Sequence, residues 1–131
     1  RPIALVSTIS NIGQNNIAPF SYFNGVCSKP PTVMFAPARR GWDGEEKDTL
    51  INIRENKEFV INIVSKSFGD QMVTCATDYD SNIDEFKISK LSPVKSDVAV
   101  ELFTDDFAVK LLILVLGSTI NSTLSALIGC S

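Results

Sequence analysis

The sequence predicts a mainly β fold, in which a β-barrel is decorated by short helices. Short segments rich in β-branched residues, each bounded by turn-forming residues, outnumber the segments with helical spacing. Strands and helices do not alternate regularly, as they would in a fold built from βαβ units. The 131 residues are enough for one hydrophobic core, and they contain neither an internal repeat nor a linker. We therefore expect a single domain over residues 1–131.

The first two strands follow from β-branched segments on either side of a turn. Residues 3–10 indicate the first strand, and the Asn- and Gly-rich segment 11–16 indicates a hairpin connection. The second strand is expected at residues 17–24. Pro19 lies within it and has no backbone N–H, so this strand is expected at a sheet edge or near a bulge.

A helix is predicted at residues 49–55, after a loop at 37–47 that has no consistent period. Asp48 or Thr49 can accept hydrogen bonds from the free N–H groups at its start, and Asn56 can adopt the left-handed conformation at its end. Apolar residues at helical spacing predict a second helix. The second helix is expected at 67–76, a polar, turn-rich segment at 77–88, and the remaining strands at 32–36, 58–64, 98–103, 109–116 and 122–128.

The charge balance and the hydropathy pattern argue against two classes of partner. Twelve basic residues against fifteen acidic ones give no basic surplus, so a nucleic-acid partner is not expected. The longest apolar run, residues 111–116, has the length of a strand rather than a bilayer span, so we expect no membrane insertion. Three widely spaced cysteines and the lack of a signal-peptide pattern are typical of the reducing cytoplasm.

The sequence contains no histidine, which removes the catalytic triads, the Cys-His dyads and the histidine-bearing metal sites together. The odd number of cysteines also argues against a zinc site. We therefore predict no metal site and no catalytic side chain. Any redox or group-transfer chemistry would depend on a bound cofactor for its reactive centre.

The first group of candidate binding residues lies in residues 39–49 and ends at the start of the predicted helix. N–H groups at a helix N-terminus are unpaired, and the helix dipole favours an anion there. Lys47 and either Arg39 or Arg40 could neutralise a phosphate, with the Thr49 hydroxyl as a further donor. The alternative is a capped surface helix after a charged loop, and spacing alone slightly favours it because this stretch also carries several carboxylates and lacks the P-loop spacing.

The second group lies in residues 18–28, which mix aromatic rings with small polar side chains and a glycine. A flat ring such as an isoalloxazine needs apolar contact on its faces and hydrogen-bonding groups along its pyrimidine edge. This strand-to-loop segment can offer both. The alternative is an aromatic barrel strand whose polar side chains face solvent, and the residue chemistry by itself favours that alternative.

Taken together, these stretches resemble the flavin reductase-like family of FMN-binding split-barrel proteins, which includes flavoredoxin-type members. The resemblance follows the chain order over about the first 95 residues. It is carried by Arg1-Pro2-Ile3-Ala4-Leu5-Val6-Ser7-Thr8, Ala18-Pro19-Phe20-Ser21-Tyr22-Phe23-Asn24, Pro30-Pro31-Thr32-Val33-Met34-Phe35, Lys47-Asp48-Thr49-Leu50 with Asn52-Ile53-Arg54, Phe59-Val60-Ile61-Asn62-Ile63-Val64 and Asp84-Glu85-Phe86.

The resemblance implies a six-stranded split barrel of Greek-key type, a homodimer, and FMN bound near the subunit interface. The C-terminal third matches poorly, and the chain begins at Arg1 and is shorter than is usual for the family, so we expect the domain to be incomplete at both ends. The residues that would bind the flavin ring are Ser21, Tyr22, Phe23, Asn24, Gly25, Val26 and Cys27, with Asn24 at its polar edge. Those that would hold the phosphate are Lys47, Asp48, Thr49 and Arg39 or Arg40, and Ser7 is a further predicted contact.

The activity implied by the resemblance is that of an FMN-dependent oxidoreductase that takes hydride from NADH or NADPH. Because no Gly-x-Gly-x-x-Gly fingerprint is present, the nicotinamide would stack directly over the flavin. Two alternatives remain open: a non-enzymatic FMN carrier that moves electrons between proteins, and a cofactor-free dimeric split-barrel module.

Overall fold

The computed structural model describes residues 2–29, 31–41 and 43–95 and the strand segments at 100–102, 108–109 and 112–115. Its elements in chain order are β1 (Ala4–Ile9), β2 (Asn15–Phe20), β3 (Phe23–Ser28), β4 (Pro31–Phe35), α1 (Asp48–Asn56), β5 (Val60–Ile63), a 3₁₀ turn (Lys66–Phe68), α2 (Gly69–Thr74), α3 (Glu85–Ser89), β6 (Pro93–Lys95), β7 (Val100–Leu102), β8 (Ala108–Val109) and β9 (Leu112–Val115). Strands dominate and the helices are short, so the predicted mainly β fold is confirmed.

The described strands form three open sheets, with orders β2-β1-β5-β8, β3-β4-β9 and β6-β7. All pairs are antiparallel except β4 with β9, which are parallel. Among the described strands β2 lies at the edge of its sheet, as Pro19 predicts. No helix in the described part of the chain is long and apolar enough to cross a membrane.

The sheet around β1 is buried on both faces, because successive side chains of a strand point to opposite sides. Ala4 and Val6 contribute to one core, which contains the edge-on pair Phe35 and Phe59 with ring centroids 5.6 Å apart. Leu5 belongs to a second core on the opposite face, where α2 and α3 pack. Both faces are therefore covered by the chain itself, which fixes the register of β1 and its neighbours.

At one end of the first core, β1, β2 and α1 are joined by buried polar side chains rather than apolar ones. The Asn16 Nδ2 atom donates to the Oγ1 atoms of Thr8 at 3.2 Å and Thr49 at 2.9 Å. Asn52 Nδ2 also donates to Thr8 Oγ1, at 3.0 Å. These four residues, which we call the polar seam, hold the start of α1 against the sheet.

The structure differs from the predicted elements between residues 17 and 28. Instead of one strand over 17–24, β2 ends at Phe20, a turn follows at Ser21 and Tyr22, and β3 begins at Phe23 as the partner of β4. Strand propensity continues through the turn, so the local sequence does not mark it. The strand predicted at 17–24 is therefore wrong in its C-terminal half.

The later elements follow the prediction more loosely. The predicted helix 67–76 is a 3₁₀ turn followed by the shorter α2, and α3 interrupts the segment 77–88 that is predicted to be turn-rich. The predicted strands 98–103 and 109–116 correspond to β7 and β9. The strand predicted at 122–128 lies outside the described residues.

The caps predicted for α1 are wrong at both ends. Lys47 is the N-cap residue and α1 has no side-chain cap, while Lys57 takes the left-handed conformation at the C-terminus with a φ of 61°. The side chains predicted to cap the helix have other partners. Asp48 Oδ1 accepts from Ser81 Oγ at 2.9 Å, and Asn56 Nδ2 donates to the carbonyl oxygen of Ile9 at 2.6 Å.

Candidate functional site

A pocket of about 40 Å³ opens at the N-terminus of α1. It is bounded by β2, by the start of α1, by Arg40 from the preceding loop and by the segment 75–79 that follows α2. Because α1 lacks a side-chain cap, its first N–H groups and the positive end of its dipole remain available to an anion. We call this the anion pocket, and its charged and polar lining includes Arg40, Lys47, Thr49 and Glu85.

Of the two candidate arginines, only Arg40 lines the anion pocket. Its Nε atom lies 3.6 Å from Asp43 Oδ2, and its side chain is largely buried. Arg39 lines a different surface groove, donates from Nη1 to the carbonyl oxygen of Gly44 at 2.9 Å, and is mostly exposed. The geometry therefore selects Arg40 of the predicted pair as the residue beside the helix start.

Lys47 and Asp48 also line the pocket, and both are connected to the loop after α2. The Lys47 ammonium group forms an ion pair with Asp78. Asp48 accepts the hydrogen bond from Ser81 described above. The loop that carries Asp78 and Ser81 therefore lies directly against the start of α1, and an anion that binds Lys47 must share it with Asp78 or displace it.

Thr49 is positioned by the polar seam and is only 1% exposed. Its Oγ1 atom accepts a hydrogen bond from Asn16 Nδ2 at 2.9 Å. A hydroxyl group has one proton as well as its lone pairs, so Thr49 can still donate to an anion while it accepts from Asn16. The predicted phosphate donor is thus held in place by β2.

Glu85 is a pocket residue that the sequence reasoning missed, because it lies in the segment predicted to be turn-rich. Its side chain is buried, with 8% exposure, at the first position of α3. Its pKa is raised to about 7, mainly by burial; backbone hydrogen bonds oppose this rise, and the nearby Asp48 and Asp84 add to it by smaller amounts. The sequence signal that could have indicated this helix is Asp84, a residue type preferred at the N-cap, whose side chain accepts from Phe86 N.

The predicted ring-binding residues lie on the turn after β2 and on β3. Tyr22 and Val26 are 60% and 58% exposed, and the register of β3 against β4 shifts between Gly25 and Cys27. Cys27 is half-buried and its thiol donates to the carbonyl oxygen of Lys29. We call residues 21–27 the aromatic segment, and its members are Ser21, Tyr22, Phe23, Asn24, Gly25, Val26 and Cys27.

The anion pocket and the aromatic segment are connected through β2. Ala18 and Pro19 line the pocket, and the turn at Ser21 follows directly after the end of that strand. An elongated ligand with an anionic end and a flat end could therefore follow β2 from one to the other. Ser7 is fully buried on β1, 3.5 Å from Asn62 Nδ2, and does not line the described pocket, so its role as a contact stays a prediction.

Comparison with known proteins finds one family whose model matches most of the chain. Residues 1–111 match the flavin reductase like domain. A protein of Aquifex aeolicus that has no assigned function is 42% identical over 96 residues, which cover 73% of this chain and 48% of that protein.

Solved structures show the same relationship. Nitrilotriacetate monooxygenase component B from Bacillus cereus is 34% identical, with a TM-score of 0.71 over 78% of this chain and 50% of that one. Flavoredoxin of Desulfovibrio vulgaris is 25% identical, with a TM-score of 0.66 over 77% of this chain and 53% of that one. The chain therefore spans about half the length of the proteins it matches, and the predicted split-barrel fold is confirmed.

Proposed function

The chain belongs to the flavin reductase-like family, and from this premise we propose that it is an FMN-binding oxidoreductase that uses NADH or NADPH as electron donor. The family and the matched structures support a flavin-related oxidoreductase. The proposal goes further in naming FMN as the flavin and a nicotinamide dinucleotide as the donor. It rests on the anion pocket, since FMN differs from riboflavin by its terminal phosphate.

The lining of the anion pocket fits a phosphate monoester. The start of α1 has no side-chain cap, and Lys47, Arg40 and the Thr49 hydroxyl surround it. Backbone N–H groups at a helix start and charge-assisted hydrogen bonds from basic side chains are the two usual means of holding a phosphate. Asp48 would contribute its backbone N–H group, because its carboxylate accepts from Ser81.

The aromatic segment is the proposed contact of the flavin ring. Tyr22 offers an exposed aromatic face, and the backbone of β3 and the Asn24 side chain offer hydrogen-bonding groups to the polar edge of the ring. A bound flavin would supply the electron-accepting centre at N5, so the role of these residues is to bind and orient it. Free flavin or another small molecule is the proposed final electron acceptor.

The exposed side chains of the aromatic segment and the pairing of β3 also support the proposal of a homodimer with FMN near the interface. Among the described strands, β3 pairs only with β4, and we propose a second copy of the chain as the partner of its other edge. Val26 and Tyr22 are large apolar side chains exposed on the same segment. We place this dimer in the cytoplasm, with neither nucleic acid nor membrane as a partner.

A second candidate function is supported by the similarity to flavoredoxin. A carrier would hold FMN with the same residues and pass electrons between proteins, while it oxidises NADH and NADPH at a negligible rate. The two candidates share one cofactor site and differ in whether NADH or NADPH reduces the bound flavin. One sample of the FMN-loaded protein can therefore distinguish them.

The proposed function is tested by the cofactor and by its reduction. The purified protein, reconstituted with FMN, FAD or riboflavin, is expected to retain FMN after gel filtration and to show flavin absorbance. Anaerobic mixing with NADH or NADPH is then expected to bleach that absorbance. Retention of FMN without bleaching by either donor identifies the carrier, and failure to bind any flavin contradicts both candidates.

A matched pair of variants locates the site. Lys47→Ala removes a cation of the anion pocket, whereas Lys66→Ala removes an exposed lysine outside it. Retention of FMN is expected to fall in the first variant alone. Equal retention in both variants would place the phosphate elsewhere on the molecule.

A further inference from the structure

The charged lining of the anion pocket is unexpectedly acidic for a phosphate site. Its two basic side chains, Arg40 and Lys47, are outnumbered by the carboxyl groups of Asp48, Asp78 and Glu85. If all five were ionised, the wall would carry a net negative charge and would repel a phosphate dianion. Neutralising one of these carboxyl groups would remove the repulsion when such an anion binds.

Asp48 and Asp78 already have hydrogen-bonding or ionic partners. Asp48 accepts from Ser81 Oγ, and Asp78 forms an ion pair with Lys47. Glu85 has no cation within salt-bridge distance among the described residues. It is therefore the carboxyl group of the pocket for which protonation is least costly.

The position of Glu85 is fixed by the edge of β2. Its Oε2 atom accepts from the backbone N–H of Ile17 at 3.4 Å. In a strand, the N–H groups of residues i and i+2 point the same way, and Pro19, two residues later, has no N–H to be paired. Glu85 thus satisfies the outward N–H group of this edge with one oxygen, while its side chain also lines the pocket.

We propose that Glu85 is the proton-carrying residue of the anion pocket, and that binding of a phosphate monoester is coupled to protonation of its carboxyl group. One carboxyl oxygen keeps the Ile17 hydrogen bond, and the protonated oxygen becomes a donor toward the anion. Protonation also brings the charge of the wall to neutrality. This inference rests on the proposed function only in taking FMN as the ligand that carries the phosphate.

The surroundings of Glu85 bring its pKa close to neutral pH, where phosphate binding can change its protonation. Burial raises its pKa to about 7, so without a bound anion the Glu85 carboxyl group is a mixture of its protonated and ionised forms near neutral pH. The titratable and charged groups that line the pocket or flank Glu85 are Arg40, Lys47, Asp48, Cys75, Asp78, Tyr79 and Asp84. A bound dianion would raise the pKa of Glu85 further, and the protein would take up a proton on binding.

Isothermal titration calorimetry measures this proton directly. FMN binding is titrated at pH 7.5 in two buffers with different ionisation enthalpies, and the difference in heat gives the number of protons taken up. Wild-type protein is expected to take up a large fraction of one proton. Riboflavin, which has the same ring but no phosphate, is expected to bind with no proton uptake.

The variant Glu85→Gln keeps an acceptor for Ile17 and an N–H donor, and it cannot ionise. This variant is expected to take up no more protons when it binds FMN than when it binds riboflavin. The affinity of wild type for FMN is expected to fall about tenfold between pH 7 and 8.5, where the phosphate remains a dianion, while that of Glu85→Gln stays nearly constant. Glu58→Gln, which neutralises an exposed carboxylate outside the pocket, serves as the control and should behave as wild type.

The outcomes separate this inference from the proposed function. If FMN binds to wild type with no more proton uptake than riboflavin, the inference is wrong and the proposed function stands. Equal proton uptake by wild type and Glu85→Gln on binding FMN also overturns the inference. If FMN does not bind at any pH, the proposed function itself fails. The comparison of FMN with riboflavin needs only wild-type protein, so it decides the question even if Glu85→Gln does not fold.

Discussion

The two parts of the candidate site are constructed in opposite ways. The anion pocket is positioned by buried side chains, because the polar seam joins β1, β2 and α1 through hydrogen bonds of 2.9–3.2 Å. The aromatic segment is exposed: Tyr22 in the turn and Val26 on β3 are both more than half accessible, and among the described strands β3 pairs only with β4. The anion pocket is therefore held in place by the fold, whereas the aromatic segment is exposed to a ligand or to a second copy of the chain.

This difference indicates how binding energy is divided between the two parts. A preorganised group loses little conformational freedom when it binds a ligand, while an exposed side chain must be ordered first. We therefore expect substitutions in the polar seam, which positions the anion pocket, to change stability as well as phosphate recognition. Substitutions in the aromatic segment should change flavin affinity and leave stability almost unaltered.

The largest effect is expected from the polar seam. Asn16→Ala removes the donor to Thr8 and Thr49; Thr8 keeps its hydrogen bond from Asn52, whereas the buried Thr49 Oγ1 loses the donor that holds it. The free energy of unfolding, measured by urea denaturation, should fall by about 3 kcal/mol. Asn11→Ala, on the exposed turn between β1 and β2, should alter it by less than about 0.5 kcal/mol. Similar losses from both variants would show that the seam does not stabilise the pocket.

The second effect is the pH dependence of stability contributed by Glu85. Its pKa rises from 4.5, the ordinary value, to about 7 in the folded protein, so ionisation is disfavoured by folding. The contribution of Glu85 to the free energy of unfolding is therefore largest below pH 4.5 and is lost as the pH rises to about 7. Above that pH the contribution no longer changes. Relative to Glu85→Gln, wild type should lose about 2 kcal/mol of unfolding free energy between pH 5 and 8. Parallel pH curves for the two proteins would rule out the raised pKa.

A smaller effect, confined to recognition of the phosphate, is expected from Lys47→Ala. The loss of one charge-assisted hydrogen bond should weaken FMN binding about tenfold, as measured by quenching of flavin fluorescence. Riboflavin affinity should be unchanged, because riboflavin has no phosphate. An equal loss for both ligands would mean that Lys47 supports the ring and that the anion pocket is assigned incorrectly.

The smallest change in stability is expected from Tyr22→Ala in the aromatic segment. Because this side chain is 60% exposed, the unfolding free energy should change by less than about 0.5 kcal/mol. Affinities for FMN and riboflavin should fall together, by about fivefold, since both ligands lose the same ring contact. Val73→Ala, at a similarly exposed position on α2, is the control and should affect neither ligand. A selective loss for FMN would contradict the division between the two parts.

The elements that the sequence predicts well are those with a clear local pattern. The β1 and β4 strands and the α1 helix lie within a residue or two of their expected ranges, because turn-forming or irregular segments bound each of them in the sequence. The separate strand β3 could not be predicted in this way. Its existence depends on pairing with β4, and the aromatic residues on either side of the turn favour strands equally.

The candidate site shows the same limit. The basic residues and Thr49 beside the helix start could be predicted from their residue types, but the choice of Arg40 over Arg39 depends on the loop conformation. The caps of α1 were predicted incorrectly because Asp48 and Asn56 bind distant partners, Ser81 and the Ile9 carbonyl. Glu85 acquires its properties from burial against β2, which no local pattern reveals.

The ion pair between Lys47 and Asp78 has a kinetic consequence. The Asp78 carboxylate is paired with Lys47 before any ligand arrives. An incoming phosphate therefore replaces this ion pair with one of its own. Long-range attraction is therefore weaker than the number of basic residues suggests, and the association rate should respond little to ionic strength. Asp78 acts as an internal competitor, which favours ligands whose remaining contacts along β2 hold them while the exchange takes place.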